Sequence, residues 1–319
     1  MIPNSHCESA TGPDITSLEL EITRKCPLAC TYCYRSLRDP ANTDRETSMS
    51  LETATRAIEW ALGRLPLRTR NLGVWFMGGE PLVEFALIKR LVEYGESRAA
   101  DLGKTITFGA TTNLVLIDEE IISFWREHRM KWNTSTDGAP ASHDACRVFP
   151  DGRGSADAVR RKIPLVLEHW PNTTARATVT PQSAARILEN ARYLLDLGYT
   201  NIVMVASTDQ AWPNDGLATL AGSFSDIGDF FIERFRRGQP FRLKWFDSAV
   251  KGIVKPQRGT GPCGAGRGMV CVDVHGEIWP CHRFPGYDPE GFWRLGSVDE
   301  GLDEEKRLPL LGFDCRRDV

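Results

Sequence analysis

Six short apolar or β-branched runs, each followed by a helical stretch, set the strongest limit on how this chain can fold. The runs are SLELEIT (17–23), NLGVWFM (71–77), TITFGATT (105–112), MKWNTST (130–136), TARATVT (174–180) and NIVMVAS (201–207), all bounded by turn residues. Between them, LETATRAIEWAL follows Ser50 as an N-cap, ALIKRLVEYGESRAA and DEEIISFWREH carry i, i+3, i+4 apolar spacing, and SADAVRRKIPLVLEHW continues the series. PQSAARILENARYLLDLG takes Thr180 as cap and Pro181 as its first helical residue and closes on Gly198. FSDIGDFFIERFRR (224–237) ends the set. This alternation demands right-handed crossovers and a parallel sheet, either open and doubly wound or curled into a barrel.

After about residue 240 the texture changes. GTGPCGAGRGMVCVDVHGEIWPCHRFPG is rich in glycine and cysteine, and VCVDVHGEIWPC reads as two strands joined by a His-Gly turn. Gly264, Gly266 and Gly268 are turn formers here, because no helix comes after them to make a nucleotide loop. With 319 residues and 41% hydrophobic composition the chain can bury one large core and a small appendage. The 39 basic and 42 acidic residues nearly balance, so nothing is built to neutralise a nucleic acid. No apolar run approaches the roughly 20 residues that span a bilayer, and the N-terminus lacks the regions of a signal peptide. The expectation is a soluble cytoplasmic protein.

Nine cysteines, an odd number, fit a reducing compartment better than a disulfide framework. Cys7 and Cys146 stand apart, whereas Cys26, Cys30 and Cys33 cluster in CPLACTYCY, and Cys263, Cys271, Cys281 and Cys315 fall near the C-terminus. The first cluster begins three residues after the first strand, in the loop at its C-terminal end, where parallel α/β folds place their active sites. Three thiols this close could hold a metal, form disulfides or be buried. A closed zinc site needs a fourth ligand, and none lies nearby. A four-iron cluster on three thiolates would keep one iron for a substrate or cofactor.

The spacing of three and then two residues, with an aromatic before the last cysteine, resembles the radical S-adenosylmethionine (SAM) enzymes. The resemblance implies a partial (β/α)6 TIM-like barrel over 17–239, an N-terminal extension over 1–16 and a cysteine-rich β-hairpin extension of SPASM or twitch type over 240–319. It also implies a 4Fe-4S cluster on Cys26, Cys30 and Cys33 that binds SAM, and reductive cleavage to a 5'-deoxyadenosyl radical that takes a hydrogen from the substrate. FMGGEP (76–81) resembles the family's GGE motif, with Gly78 and Gly79 allowing close backbone approach and Glu80 accepting from the SAM ammonium. STDGAPASHDACRVFPDGRGS (135–155) resembles a run of the peptide-modifying branch, by which Ser135 binds the SAM ribose and Arg147 its carboxylate end. Asp137, His143 and Asp144 brace that loop. Tyr32 lies against adenine. TTNLVLID (111–118) resembles a family motif with Leu114 where glycine is usual, so only Asn113 is carried over.

In the extension, Cys263, Gly276 and Cys281 match the opening SPASM spacing, WRLGSV (293–298) matches the family's next segment, and Cys271 is a further ligand. The full pattern then departs, with Cys315 and, at the next cysteine position, Asp318. The resemblance leaves either one auxiliary 4Fe-4S cluster on Cys263, Cys271, Cys281 and Cys315, or a shortened domain. A four-cysteine zinc site competes with it. The overall likeness implies a peptide or protein substrate and a reductant such as flavodoxin or ferredoxin. No leader-binding domain is expected before the first strand, so leader recognition falls to the barrel face or a separate protein. Sulfatase maturases carry Asp after the cysteine equivalent to Cys281; His282 stands there in this chain, as base or as packing. That favours crosslinking, epimerisation or oxidation of a ribosomally made peptide over formylglycine formation. A twitch-type small-molecule dehydrogenase and an iron-sulfur electron carrier are the remaining alternatives.

Overall fold

The structure, a computed structural model, describes residues 14–38, 47–65, 69–254, 264–286, 288 and 290–312. Strand β1 (Ser17–Thr23) sets its pattern. Leu18, Leu20 and Ile22 are fully buried on one face, and Glu19 and Glu21 alternate onto the other. Strands β2 (Asn71–Gly78), β3 (Thr105–Thr112), β4 (Lys131–Ser135), β5 (Thr174–Val179), β6 (Asn201–Ala206) and β7 (Arg242–Leu243) add in chain order, every neighbour parallel. With no point at which the order reverses, all crossovers turn one way and the sheet curls, which selects the partial barrel over the doubly wound alternative.

The crossovers carry helices α1 (Tyr34–Arg38), α2 (Leu51–Arg64), α3 (Phe85–Asp101), α4 (Glu119–Glu127), α5 (Pro140–Asp144), α6 (Ala156–Leu167), α7 (Ile187–Asp196), α8 (Asn214–Arg236) and α9 (Lys244–Val254). Their apolar stripes cover the convex face, joining Leu18, Val74, Phe108 and Ile202 to Ile58, Leu91, Ile163 and Leu194 in one core. Ser50 caps α2, its hydroxyl accepting from the Thr53 N–H at 3.0 Å, and Asp118 does the same for α4 through Ile121 at 2.9 Å; each such cap is worth about 1 kcal/mol.

Three elements depart from the sequence expectation. Thr180 does not cap a helix: its N–H bonds the Ser183 hydroxyl at 2.9 Å and its carbonyl accepts the Ser183 N–H at 3.0 Å. That turn absorbs Pro181, and α7 starts only at Ile187, after a single 3-10 turn. Helix α8 starts ten residues earlier than expected, at Asn214. Strand β7, two residues long, is too short to show alternation; with α9 it carries the barrel past residue 239, where the appendage was expected to begin, and past 224–237, expected to be the last helix.

The cysteine-rich segment forms the expected hairpin, β8 (Met269–Val272) against β9 (Glu277–Trp279), with Gly276 at φ +89° in its turn. Two short strands, β10 (Gly296–Ser297) and β11 (Gly301–Leu302), come next, and then α10 (Glu304–Gly312). Strand β8 pairs parallel with β1 on the edge opposite β2, so the hairpin extends the barrel's own sheet. Among the described residues no helix is long and apolar enough to cross a membrane.

Candidate functional site

The concave face is polar where the convex face is apolar. Register places Glu19 beside Trp75 and Cys271, Trp75 beside Gly109, and Ser135 beside Arg176, which in turn neighbours Val203. Gly109 is required: a Cβ there would overlap the Trp75 ring, whose Nε1 donates to Thr111 Oγ1 at 2.9 Å. Glu19, Trp75, Ser135 and Arg176 thus share this face, with Val203 beside them.

Cys26, Cys30 and Cys33 lie in the loop at the C-terminal end of β1, at the lumen's mouth. A turn holds the last two, the Cys33 N–H donating to the Cys30 carbonyl at 3.0 Å. The loop is tied across the mouth by Ala29 N–H to the Val148 carbonyl (2.7 Å) and Thr31 N–H to the Cys146 carbonyl (2.9 Å). On the other side Gly79 N–H donates to the Thr23 carbonyl and Glu80 N–H to the Lys25 carbonyl, both at 2.8 Å. A Cβ on Gly78 would lie closer than 3.0 Å to the Thr23 carbonyl oxygen, and one on Gly79 equally close to those of Arg24 and Lys25. The two glycines therefore let β2 pack directly against the chain entering the cysteine loop.

Glu80 is buried, and burial pushes its carboxyl up to about 7 against the opposing pull of backbone N–H donors. Leu82 N–H (3.1 Å) and Asn113 N–H (2.7 Å) donate to its two oxygens, and the Thr112 hydroxyl bonds the same carboxylate, which leaves it one acceptor position. Asn113 Oδ1 accepts from Val115 N–H at 3.0 Å, which turns its Nδ2 toward Cys26 Sγ, 3.6 Å away. Leu114, at the family's glycine position, is fully buried with φ +70°, so this chain keeps the left-handed backbone without the glycine.

Ser135 ends β4, half-buried. Asp137 ties the next loop together: Oδ2 accepts from the Tyr32 hydroxyl at 2.6 Å, and Oδ1 accepts from Thr178 N–H at 2.9 Å and faces Arg147 Nε at 3.1 Å. The Arg147 guanidinium sits 5.4 Å from the centre of the Tyr32 ring. Asp144 accepts from Ala156 N–H at 2.7 Å, and buried His143 bridges Asp137 N–H and Ser155 Oγ. These contacts brace the loop, as the sequence suggested.

Burial lowers His143 to about 4, so it is neutral in the folded protein, while the unfolded chain takes up its proton near pH 6.5. Stability is then complete above pH 6.5 and falls as pH drops toward 4, by on the order of 3 kcal/mol over that window. Urea midpoints at pH 7 and 5 should fall for the wild type and fall less for His143→Gln; equal slopes would exclude this role.

Of the proposed auxiliary ligands, Cys263 and Cys315 lie outside the described residues. Cys271 is fully buried on β8 and Cys281 comes after β9 in the same hairpin. His282 joins this hairpin to the barrel. Its N–H donates to Glu19 Oε2 at 2.8 Å, its Nδ1 lies 3.0 Å from both Glu19 oxygens, and its carbonyl accepts from Tyr34 Oη at 3.0 Å. A carboxylate only accepts, so the ring proton sits on Nδ1 and Nε2 is left as the basic nitrogen. Sequence reading missed Glu19; the alternating acids of SLELEIT, odd in a strand flanked on both sides, were the available signal.

The first cysteine loop fits a cluster. Cys26 is exposed and Cys30 half-buried at the lumen's mouth, and desolvation raises the Cys30 thiol to about 11, so a compensating metal charge favours its thiolate. None of the six described cysteines is in a disulfide. Among the described residues no three Cys, His, Asp or Glu side chains converge as a single ion would require. A cubane spreads its thiolates over separate corners, and one loop carrying three thiols can supply three of them.

Residues 20–194 match the sequence profile of the radical SAM superfamily. The chain is 28% identical over 185 residues to an uncharacterized protein of Methanocaldococcus jannaschii, covering 58% of this chain and 60% of that one. It is 28% identical over 307 residues to the serine-type anaerobic sulfatase-maturating enzyme of Klebsiella aerogenes, covering 89% of this chain and 71% of the enzyme. The solved structure of native anSMEcpe with bound AdoMet and Cp18Cys peptide shares its fold, with a TM-score of 0.75 at 20% identity over 91% of this chain and 79% of that one.

Proposed function

This chain belongs to the radical SAM superfamily, whose members bind a 4Fe-4S cluster and SAM, and from that premise we propose that it modifies a peptide or protein by abstracting a hydrogen atom from it in the barrel lumen. When bound, the cluster and SAM supply reductive cleavage of the sulfonium and a 5'-deoxyadenosyl radical. The observation that carries the reading is the cysteine loop at the mouth of a polar lumen, clamped between Gly78–Gly79 and the Cys146–Val148 segment. Peptide chemistry is supported by the likeness to a sulfatase-maturating enzyme over most of the chain, and by a fold shared with a peptide complex.

In this reading Cys26, Cys30 and Cys33 hold the cluster, and Asn113 Nδ2 donates to the Cys26 sulfur. Glu80 offers its remaining acceptor position to the SAM ammonium. Tyr32, fixed by Asp137, packs against adenine, Ser135 contacts the ribose, and Arg147 uses donors left over from Asp137 on the carboxylate. The barrel, which runs on through β7 and α9, is the catalytic part, and the segment after α9 carries the auxiliary cluster on Cys271 and Cys281 with Cys263 and Cys315. Glu19 fixes the ring of His282 so that Nε2 can take a proton from the substrate. That pair also supports a second reading, formylglycine formation in a sulfatase, because it sets a base at the position where maturases carry Asp.

Reconstituted under anoxia and reduced with dithionite, the protein should convert SAM to 5'-deoxyadenosine, measured by liquid chromatography with mass detection. No product above the protein-free control would remove the proposal. A serine- or cysteine-containing sulfatase peptide in the same assay separates the two readings by whether formylglycine appears.

A further inference from the structure

Beside the lumen, between β6 and helices α8 and α9, lies a cavity of about 350 Å³ walled by Val203, Val205, Phe224 and Trp245. Two cations line it, Arg176 from the concave face of β5 and Lys244 from the start of α9. Neither has a side-chain hydrogen bond or ion pair among the described residues. The nearby acids are already engaged: Asp247 faces Arg242 at 3.1 Å, Asp209 pairs with Arg283, and Glu19 holds His282. Arg176 is half-buried, and burial pulls its pKa down against the attraction of Glu19, which forms no ion pair with it and is held by His282. A guanidinium costs free energy when desolvated without a partner, so one kept in this state marks a place where an anion is supplied from outside. In a chain of net charge −3, two unpaired cations in one apolar-walled cavity are a local excess.

We propose that this cavity is a substrate subsite that takes an acidic side chain of the peptide, with Arg176 and Lys244 on its carboxylate and Trp245, Phe224 and Val205 against its neighbouring apolar residue. The inference rests on the peptide-modifying reading above and deepens it. The register explains its place. Arg176 neighbours Ser135, a candidate cofactor contact, so an acidic residue anchored at Arg176 would hold the adjoining backbone beside the reacting centre. A cavity of this size admits one or two side chains, so it reads a short motif and leaves the reacting residue free in the lumen.

A random hexapeptide library displayed on phage, panned against reconstituted protein with SAM present, tests this. The wild type should enrich Asp or Glu at one position roughly tenfold over input. Arg176→Glu, and separately the exposed Lys244→Glu, should replace that preference with Lys or Arg. Because Lys244 is on the surface, its variant answers even where Arg176→Glu fails to fold. Enrichment without an acidic preference, or an acidic preference that both reversals leave intact, overturns the subsite. So does Arg176→Gln weakening SAM binding in equilibrium dialysis while peptide selection stays unchanged, since the anion would then be the cofactor's own carboxylate. SAM cleavage is assayed in parallel. Acid-selective binding without cleavage supports the subsite and removes the catalytic reading, whereas cleavage without acid selection removes the subsite alone.

Discussion

Valine in place of Gly78 should lower the stability of the protein by about 3 kcal/mol or more and strip iron from it on reconstitution. Gly78 has φ +146°, a backbone conformation that side chains with a Cβ rarely adopt, and the added atom would overlap the Thr23 carbonyl oxygen. The two costs add because relief of one does not relieve the other. The oxygen cannot give way alone, since it accepts the Gly79 N–H and lies at the end of β1, three residues before Cys26. Moving it moves the cysteine loop. Gly79→Ala isolates the steric part, as its clash is with the Arg24 and Lys25 carbonyls and no positive φ is involved. Gly63→Ala in α2 is the opposite case: open space surrounds it, and it should gain about 0.5–1 kcal/mol from helix propensity. Urea unfolding and iron content per chain measure all three. A Gly78→Val protein with wild-type stability and iron would show that the motif's glycines do not set the loop.

The strands and the site loops were legible because each leaves a local signal. The ends of β1 and β3 fall where the runs SLELEIT and TITFGATT end, the cysteines begin three residues after β1, and the Gly-Gly-Glu starts on the last residue of β2, at the edge where a parallel sheet places its site. The illegible part depends on distance along the chain. Glu19 and His282 are 263 residues apart, and nothing periodic in either segment announces the pair. Glu19 itself sat inside a run read as apolar, because parallel strands are expected to be apolar on both faces, whereas this barrel keeps a polar lumen. Leu114 shows a local rule overridden by context. Its left-handed φ is held by its own N–H on Thr112 Oγ1 at 3.0 Å and by a fully buried side chain, so the turn survives loss of the glycine that propensity demands.

The polar lumen also explains why the site and the appendage cannot be treated apart. Cys271 lies next to Glu19 in the sheet, Arg35 of the helix after the cysteine loop reaches Glu21, and Tyr34 of the same helix donates to the His282 carbonyl. Helix α1 therefore ties the cysteine loop to β1 through Arg35 and to the C-terminal hairpin through Tyr34.

Cys30→Ala is the sharpest test of the chemistry, and it should reduce 5'-deoxyadenosine formation at least about a thousandfold. Alanine retains the backbone carbonyl that accepts the Cys33 N–H, so the turn persists and the loss is of a thiolate. Cys26 and Cys33 alone leave the cubane one protein ligand short. Iron per chain should fall by one four-iron cluster, about half the total if a single auxiliary cluster is present. Cys146→Ala is the matched comparison, a buried thiol on the facing segment whose carbonyl, kept by alanine, accepts from Thr31. It should retain iron and cleavage at the cost of about 1 kcal/mol of stability. Equal loss of iron in both variants would mean that the loop tolerates no change there and that the thiolate assignment is unsupported. Cleavage persisting in Cys30→Ala would mean that the sulfonium is broken somewhere other than at this loop.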